Sequence, residues 1–170
     1  ATHNKWKIHS FDISQAFLQA HPLPSDSRLY VRPPPGDFAP PGTIWHLHKP
    51  LYGLAIAPRS WSDTLKHFLR GYGFTSVDSS ECFFKWTDNK GSHLHLIVHV
   101  DDICVSHNSD SALDSFRSAL LTRFQGTFEQ NVTRYLGIDV YQSSHSLHLS
   151  QEHLARDLLD RTDMATCNPV

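Results

Sequence analysis

Period-two spacing and β-branched or aromatic runs mark strand candidates at Trp6 to Asp12, Ile44 to His48, Cys82 to Trp86 and Leu94 to Val100. A helical period replaces them in two places. Trp61, Leu65, Phe68 and Leu69 fall on one face of a helix that Pro58 can open. Leu113, Phe116, Leu120 and Phe124 mark the buried stripe of a second helix, from about Asp110 to Phe124. These apolar residues are read as core, not as a cofactor box. Further short strands are expected at Arg28 to Arg32, Thr127 to Gln130, Arg134 to Tyr141 and Leu147 to Leu149. Ser150 is placed to cap a last helix carrying Leu154 and Leu158. From Pro22 to Gly42 the chain is loop-like. Pro22, Pro24, Pro33, Pro34, Pro35, Pro40 and Pro41 stiffen it without contributing hydrogen bonds. Because Leu29 and Tyr30 can pack, an ordered insertion crossing the surface is preferred to a flexible linker. The mixture predicts an α+β fold without internal repeats.

The most informative stretch is His93-Leu-His-Leu-Ile-Val-His-Val-Asp-Asp-Ile-Cys-Val-Ser106, an apolar run broken by Asp101 and Asp102. Its arms, Leu94 to Val100 and Ile103 to Ser106, predict a hairpin with Asp101-Asp102 as its two-residue turn. Such turns favour Asn-Gly or Asp-Gly, which tolerate positive φ, so Asp-Asp is a poor choice for folding alone. Two carboxylates at the end of apolar strands repel one another in a low dielectric, and a divalent cation relieves the repulsion. An exposed acidic turn without a role is the competing reading. A third acid bears on the choice. Trp6, Ile8, Ser10 and Asp12 share one face of an extended segment, expected to be the buried one, so Asp12 also ends a strand. Two strand-end acid sites can share metals. Mg²⁺ prefers a few carboxylate oxygens with phosphate and water, and two ions roughly 3.5–4 Å apart clamp both oxygens of an in-line phosphoryl displacement.

The 170 residues, 39% of them hydrophobic and 11% aromatic, suffice for one domain, or part of one, with a real core. No apolar stretch is long enough to cross a bilayer and no signal-peptide pattern opens the chain, so an intracellular protein with no membrane partner is expected. Cys82, Cys104 and Cys167 are too few and scattered for a disulfide framework or a zinc knuckle. The Asn131-Val-Thr133 glycosylation match is accordingly read as chance. A net charge of −2 with 13 histidines argues mildly against nucleic-acid binding, which normally demands a basic surface. His93, His95 and His99 could project from one strand face as zinc ligands. His46, His48, His145 and His148 are too dispersed to complete such a site, so solvent-facing strand histidines are expected instead.

Four segments, in order and spacing, resemble the reverse transcriptase of copia-type LTR retrotransposons: Phe11-Asp-Ile-Ser-Gln-Ala-Phe-Leu18, Leu51-Tyr-Gly-Leu-Ala-Ile-Ala-Pro-Arg-Ser-Trp61, Val98-His-Val-Asp-Asp-Ile103 and Tyr135-Leu-Gly-Ile-Asp-Val140. Leu29-Tyr-Val-Arg-Pro-Pro-Pro-Gly36 and Met164-Ala-Thr-Cys-Asn-Pro169 extend the likeness over essentially the whole chain. The resemblance implies a ferredoxin-like polymerase palm, with an antiparallel sheet and helices on one face. It makes residues 1–170 this palm, with a partial fingers insertion over about residues 20–56 and without the N-terminal fingers or the ribonuclease H region. The upstream fingers of the family carry basic residues, a partial answer to the weak charge here.

The resemblance further implies RNA- and DNA-directed DNA polymerisation. Asp12 and Asp101 would bind two Mg²⁺ ions, or Mn²⁺ in their place, with Asp102 supporting. Ile13, Phe17, Tyr52 and Gly53 would meet the incoming nucleotide, Phe17 as the gate that excludes a ribose 2′-hydroxyl. Phe17 as an ordinary core aromatic is the alternative. His99, where the family usually has tyrosine, would contact primer or template with Pro58, Arg59, Leu136 and Gly137. Implied partners are an RNA or DNA template with its primer, deoxynucleoside triphosphates, and the ribonuclease H and integrase regions of one polyprotein. The implied compartment is the cytoplasm, within a virus-like particle, or the nucleus. Ala55-Ile56 departs from the family's usual Lys-Gln, removing a charge and an amide. A polymerase-like fold kept as a non-catalytic nucleic-acid or protein interaction module is the second reading.

Overall fold

The computed structural model describes residues 6–36, 39–77, 79, 81–143 and 146–167. His145 and the end of the closing Asn168-Pro169 motif lie outside them. In chain order the elements are β1 (Lys7–Ile13), a short 3₁₀ turn (Ala16–Gln19), β2 (Tyr30–Val31), β3 (Trp45–His46) and α1 (Ala57–Tyr72). Then come β4 (Thr75–Ser76), β5 (Phe83–Thr87), β6 (His93–His99), β7 (Asp102–His107) and α2 (Asp110–Arg123). The chain continues through β8 (Gly126–Glu129), β9 (Arg134–Tyr135), β10 (Ile138–Gln142), β11 (Leu147–Ser150) and α3 (Glu152–Arg161).

The main sheet has six antiparallel strands in the order β4-β5-β6-β7-β1-β8. One residue in two along each strand points to the helices. Phe11, Ile13, Phe84, Leu94, Leu96, Ile103 and Val105 are buried there, against Trp61, Leu65 and Leu69 of α1 and Leu113, Phe116 and Leu120 of α2. The predicted stripes of both helices are therefore the ones used. Burying a side chain of this size contributes roughly 1.5–3 kcal/mol, so this single cluster dominates the stability of the domain. Helix α1 carries Pro58 in its first turn, where a missing N–H costs nothing, and ends at Gly73 with φ of 109°. Helix α2 is capped by Ser109, whose hydroxyl accepts from the Ala112 N–H.

Among the described residues, α1 and α2 leave the other face of the sheet open. The small sheet β11-β10-β9 joins it through side chains: Gln142 accepts from the Ile8 N–H at 3.1 Å and donates to the Trp6 carbonyl at 3.0 Å.

Four expectations change. Asp12 lies on this open face and is exposed, whereas Phe11 and Ile13 turn to the core. The predicted partners Trp6, Ile8 and Ser10 do share its face, but that face is not the buried one. The 134–141 strand is broken into β9 and β10 by Leu136 and Gly137, with φ of 48° and 75°, the doubled positive φ of a tight hairpin. The expected 28–32 strand shortens to β2, paired only with β3. The N-cap of α3 is Gln151 rather than Ser150, although the Ser150 hydroxyl still accepts from the Glu152 N–H at 3.1 Å. The Pro-rich segment is tied to the stretch around β3 at Leu23 and Leu29, where the Leu23 N–H donates to the His48 carbonyl and the Leu47 N–H to the Leu29 carbonyl.

Candidate active site

The C-terminal end of β1 meets the β6–β7 hairpin, and the register there aligns the acids. Asp12 pairs directly with Asp102, and Asp102 in turn pairs with His99. Directly opposed residues share a face with Cβ atoms about 4.5–5.5 Å apart. His99, Asp102, Asp12 and Thr127 thus form a row across β6, β7, β1 and β8 on the open face.

The hairpin turn is Val100-Asp101, one residue earlier than the expected Asp101-Asp102, because His99 and Asp102 are the last pair of the ladder. Val100 has φ of 54° and Asp101 does not share this left-handed backbone. Positive φ at the first turn position is ordinarily left to glycine, and a β-branched residue there is strained by roughly 1–3 kcal/mol. Three carbonyls in succession are held from three elements. The Trp61 indole Nε1–H of α1 donates to the Val100 oxygen at 2.6 Å, and the Ile13 N–H of β1 to the Asp101 oxygen at 3.0 Å. The Tyr135 hydroxyl of β9 lies 3.4 Å from both the Asp102 and Ile97 oxygens.

Burial holds the Asp102 carboxyl above the ordinary carboxylate range, with further upward pushes from Asp101 and then Asp12, against a smaller opposite pull from His99. Three hard oxygen donors that repel one another are the chemistry of a divalent-cation site. Among the described residues, no three His, Cys, Asp or Glu side chains enclose an ion by themselves. Mg²⁺ does not require that. It takes one or two carboxylates and completes its octahedron with water and substrate phosphate, and the Asp12–Asp102 pair with Asp101 in the adjoining turn offers oxygen donors of that kind.

Phe17 is half-buried, packs on the edge of the core and holds its ring 4.6 Å from that of Tyr52, which is half exposed. Gly53, with φ of 91°, continues the turn that leads into α1. Ile13 buries its side chain in the core. Pro58 and Arg59 are exposed on the first turn of α1, Arg59 lying 3.8 Å from Asp63. Leu136 and Gly137 form the exposed tip of the β9–β10 hairpin. His93, His95 and His99 do share the open face, Trp6 stacking on His93 with centroids 5.8 Å apart.

Some supporting residues carried no signal in the sequence. The Gln19 side chain donates to the Gln125 carbonyl and accepts from its N–H, clamping the segment after Asp12 to the start of β8. At Gly126 an added Cβ would lie 2.5 Å from the Asp12 carbonyl oxygen, so only glycine lets β8 approach there.

A family model described as "Reverse transcriptase (RNA-dependent DNA polymerase)" matches residues 1–170. The chain belongs to this family. It is 36% identical over 172 residues to the retrovirus-related Pol polyprotein from transposon RE1 of Arabidopsis thaliana, covering all of this chain and 12% of that protein. The corresponding RE2 polyprotein of the same plant is 34% identical, over the same shares. The putative transposon Ty5-1 protein YCL074W of Saccharomyces cerevisiae is 28% identical over 149 residues, 85% of this chain and 47% of that protein. No solved structure matches. The resemblance to copia-type reverse transcriptases therefore holds, and this reverse transcriptase segment spans about an eighth of the length of its plant relatives, 12% in each. No helix among the described residues is long and apolar enough to cross a membrane.

Proposed function

We propose that this chain is the catalytic palm of an RNA- and DNA-directed DNA polymerase within a retrotransposon polyprotein. The observation that carries the reading is the direct pairing of Asp12 with Asp102 beside Asp101 in the adjoining turn. The connectivity β1-α1-β6-β7-α2-β8, with spatial order β8-β1-β7-β6, supports a ferredoxin-like palm. Residues of about 20–56 would then be a partial fingers insertion.

Asp12 and Asp101 hold the divalent ions in this reading, with Asp102 beside them. Two bound Mg²⁺ ions, or Mn²⁺, would supply activation of a primer 3′-hydroxyl and neutralisation of triphosphate charge. The protein's own work is positioning. Phe17 presents its ring beneath the sugar and leaves no space for a 2′-hydroxyl, while Ile13, Tyr52 and Gly53 complete the nucleotide side. His99, Pro58, Arg59 and the Leu136-Gly137 tip meet the primer and template. Deoxynucleoside triphosphates, a primed template and the ribonuclease H and integrase regions of the polyprotein are the partners. A non-catalytic binding module would have no use for three carboxylates brought together, two of them adding to the rise that burial causes in the pKa of Asp102.

The test is primer extension by a longer polypeptide that includes this chain. Mg²⁺-dependent extension on RNA and DNA templates, lost by about 10²–10³-fold in Asp101→Asn, the order expected for removal of electrostatic transition-state stabilisation, would support the proposal. Equal extension by wild type and Asp101→Asn would reject it.

A further inference from the structure

We propose that Trp61 is a positioning residue for the acid site, its indole N–H fixing the hairpin turn that carries Asp101. The inference rests on the reading of the three acids as a divalent-metal site. Of the three bonds described above to the carbonyls of residues 100–102, the one from Trp61 is the shortest, at 2.6 Å, and comes from the helix layer rather than the sheets. The donor is rigid. Trp61 is 1% exposed, and its ring stands edge-on to Phe124, with centroids 5.2 Å apart and planes at 77°. The acceptor is the residue that most needs holding, since Val100 has φ of 54° and a branched Cβ.

Space explains why the bond matters. Between α1 and the β5–β6 strands lies a partly open pocket of about 160 Å³, bordered by Trp61, Phe84, Val98 and Val100 itself together with the Lys66–Glu81 ion pair. The strained turn therefore has room on its helix side to relax, and the indole bond opposes that relaxation. A turn released at Val100 would carry Asp101 with it, and the Asp101 carbonyl would leave the Ile13 N–H, loosening the alignment of β1 and its Asp12 with the hairpin.

The decisive variant is Trp61→Phe, which keeps an aromatic ring in the core and removes only the donor and some volume. Phe124→Leu is its control, because it strips the edge contact from Trp61 but leaves the indole N–H. Two readouts separate positioning from packing. One is hydrogen exchange of the Ile13 amide relative to the interior amides of β6 and β7. The other is Mn²⁺ binding to this chain, measured by titration calorimetry.

In Trp61→Phe the Ile13 amide is expected to exchange about tenfold faster than wild type relative to those interior amides, and Mn²⁺ to bind about three- to tenfold more weakly, the scale of one lost hydrogen bond. Phe124→Leu is expected to melt at a lower temperature with both readouts unchanged. Wild-type values for both readouts in Trp61→Phe, or equal changes in Phe124→Leu, would overturn the proposal. A wild type that binds Mn²⁺ no better than Asp12→Asn would overturn the metal-site reading instead, and the Ile13 exchange would still decide whether Trp61 holds the turn.

Discussion

Asp12 and Asp102 face one another as the last pair between β1 and β7, two carboxylates on adjacent strands, each raising the energy of the other's charge. Like charges directly opposed across strands destabilise a sheet by roughly 0.2–1 kcal/mol. Asp12→Asn is therefore expected to raise the melting temperature in the absence of divalent ions, by about 0.5–4 °C for a domain of this size. Millimolar Mg²⁺ should stabilise the wild type, because it binds the native state alone, and should leave Asp12→Asn unmoved. The pH dependence has a definite sign. The raised pKa of Asp102 favours the fold below the ordinary carboxylate pKa of about 3.9, and this contribution is lost as pH rises through the folded value. Thermal melts with and without Mg²⁺ check all three statements.

A second titrating pair lies on the core face. His9 and His107 are each 3% exposed, with their Nε2 atoms 2.9 Å apart. Burial is the main cause that lowers both pKa values from 6.5; for His9 a backbone hydrogen bond at Gln130 opposes it while His107 and Lys7 add to it, and for His107 Asp110 and a backbone hydrogen bond at Ser109 oppose it while Lys7 adds to it. The stability linked to these neutral rings is complete above about pH 6.5 and is lost as pH falls through the lowered folded values, because the unfolded chain takes up protons first. The melting temperature should fall between pH 7 and pH 5. In the double variant His9→Leu/His107→Leu that slope should flatten.

At Gly126 the expected outcome is steric. The Cβ of Gly126→Ala would meet the Asp12 carbonyl at 2.5 Å and the Ile13 Cα at 3.2 Å, both backbone atoms that cannot swing aside. The variant should lose about 1–3 kcal/mol, the usual cost of forced overpacking, measured by chemical denaturation. It should also weaken Mg²⁺ binding, since β1 must shift.

The helices were legible because their apolar stripes are uninterrupted: Leu113, Phe116, Leu120 and Phe124 are all buried, as the spacing required. Strand β1 was legible as a strand but not in its facing. Trp6 and Ile8 are apolar on one face and Phe11 and Ile13 on the other, so period two holds no preference. The tertiary choice went to Phe11 and Ile13, under the helices, while Trp6 packs on His93 and His95 across the open face. The acids themselves stood out as adjacent, unfavourable turn residues. Their register did not, because the sheet sets Val100 at a φ its own propensity opposes. Nothing local marks the Trp61 donor, the Gln19 clamp or the His9–His107 pair, whose members are 98 residues apart. Such contacts exist only once the sheet has brought distant segments together.

Phe17 offers a test of substrate choice in the longer polypeptide. If its ring lies beneath the sugar, Phe17→Ala should raise the kcat/KM for ribonucleotides by orders of magnitude relative to deoxynucleotides, because a steric clash acts on one competitor alone. Were Phe17 only a core residue, the truncation would cost on the order of 3–5 kcal/mol of stability and leave the ratio unchanged. Its half-buried position against Tyr52 makes a smaller stability loss the expected result.

The pairing of Asp12 with Asp102 beside Asp101 is tested most directly by calorimetric titration of this chain with a deoxynucleoside triphosphate, with and without Mg²⁺, in wild type and Asp12→Asn. Binding that requires Mg²⁺ in wild type and is absent from Asp12→Asn is the expected result. Equal nucleotide binding by the two proteins, or binding indifferent to Mg²⁺, would contradict a shared metal site at these acids.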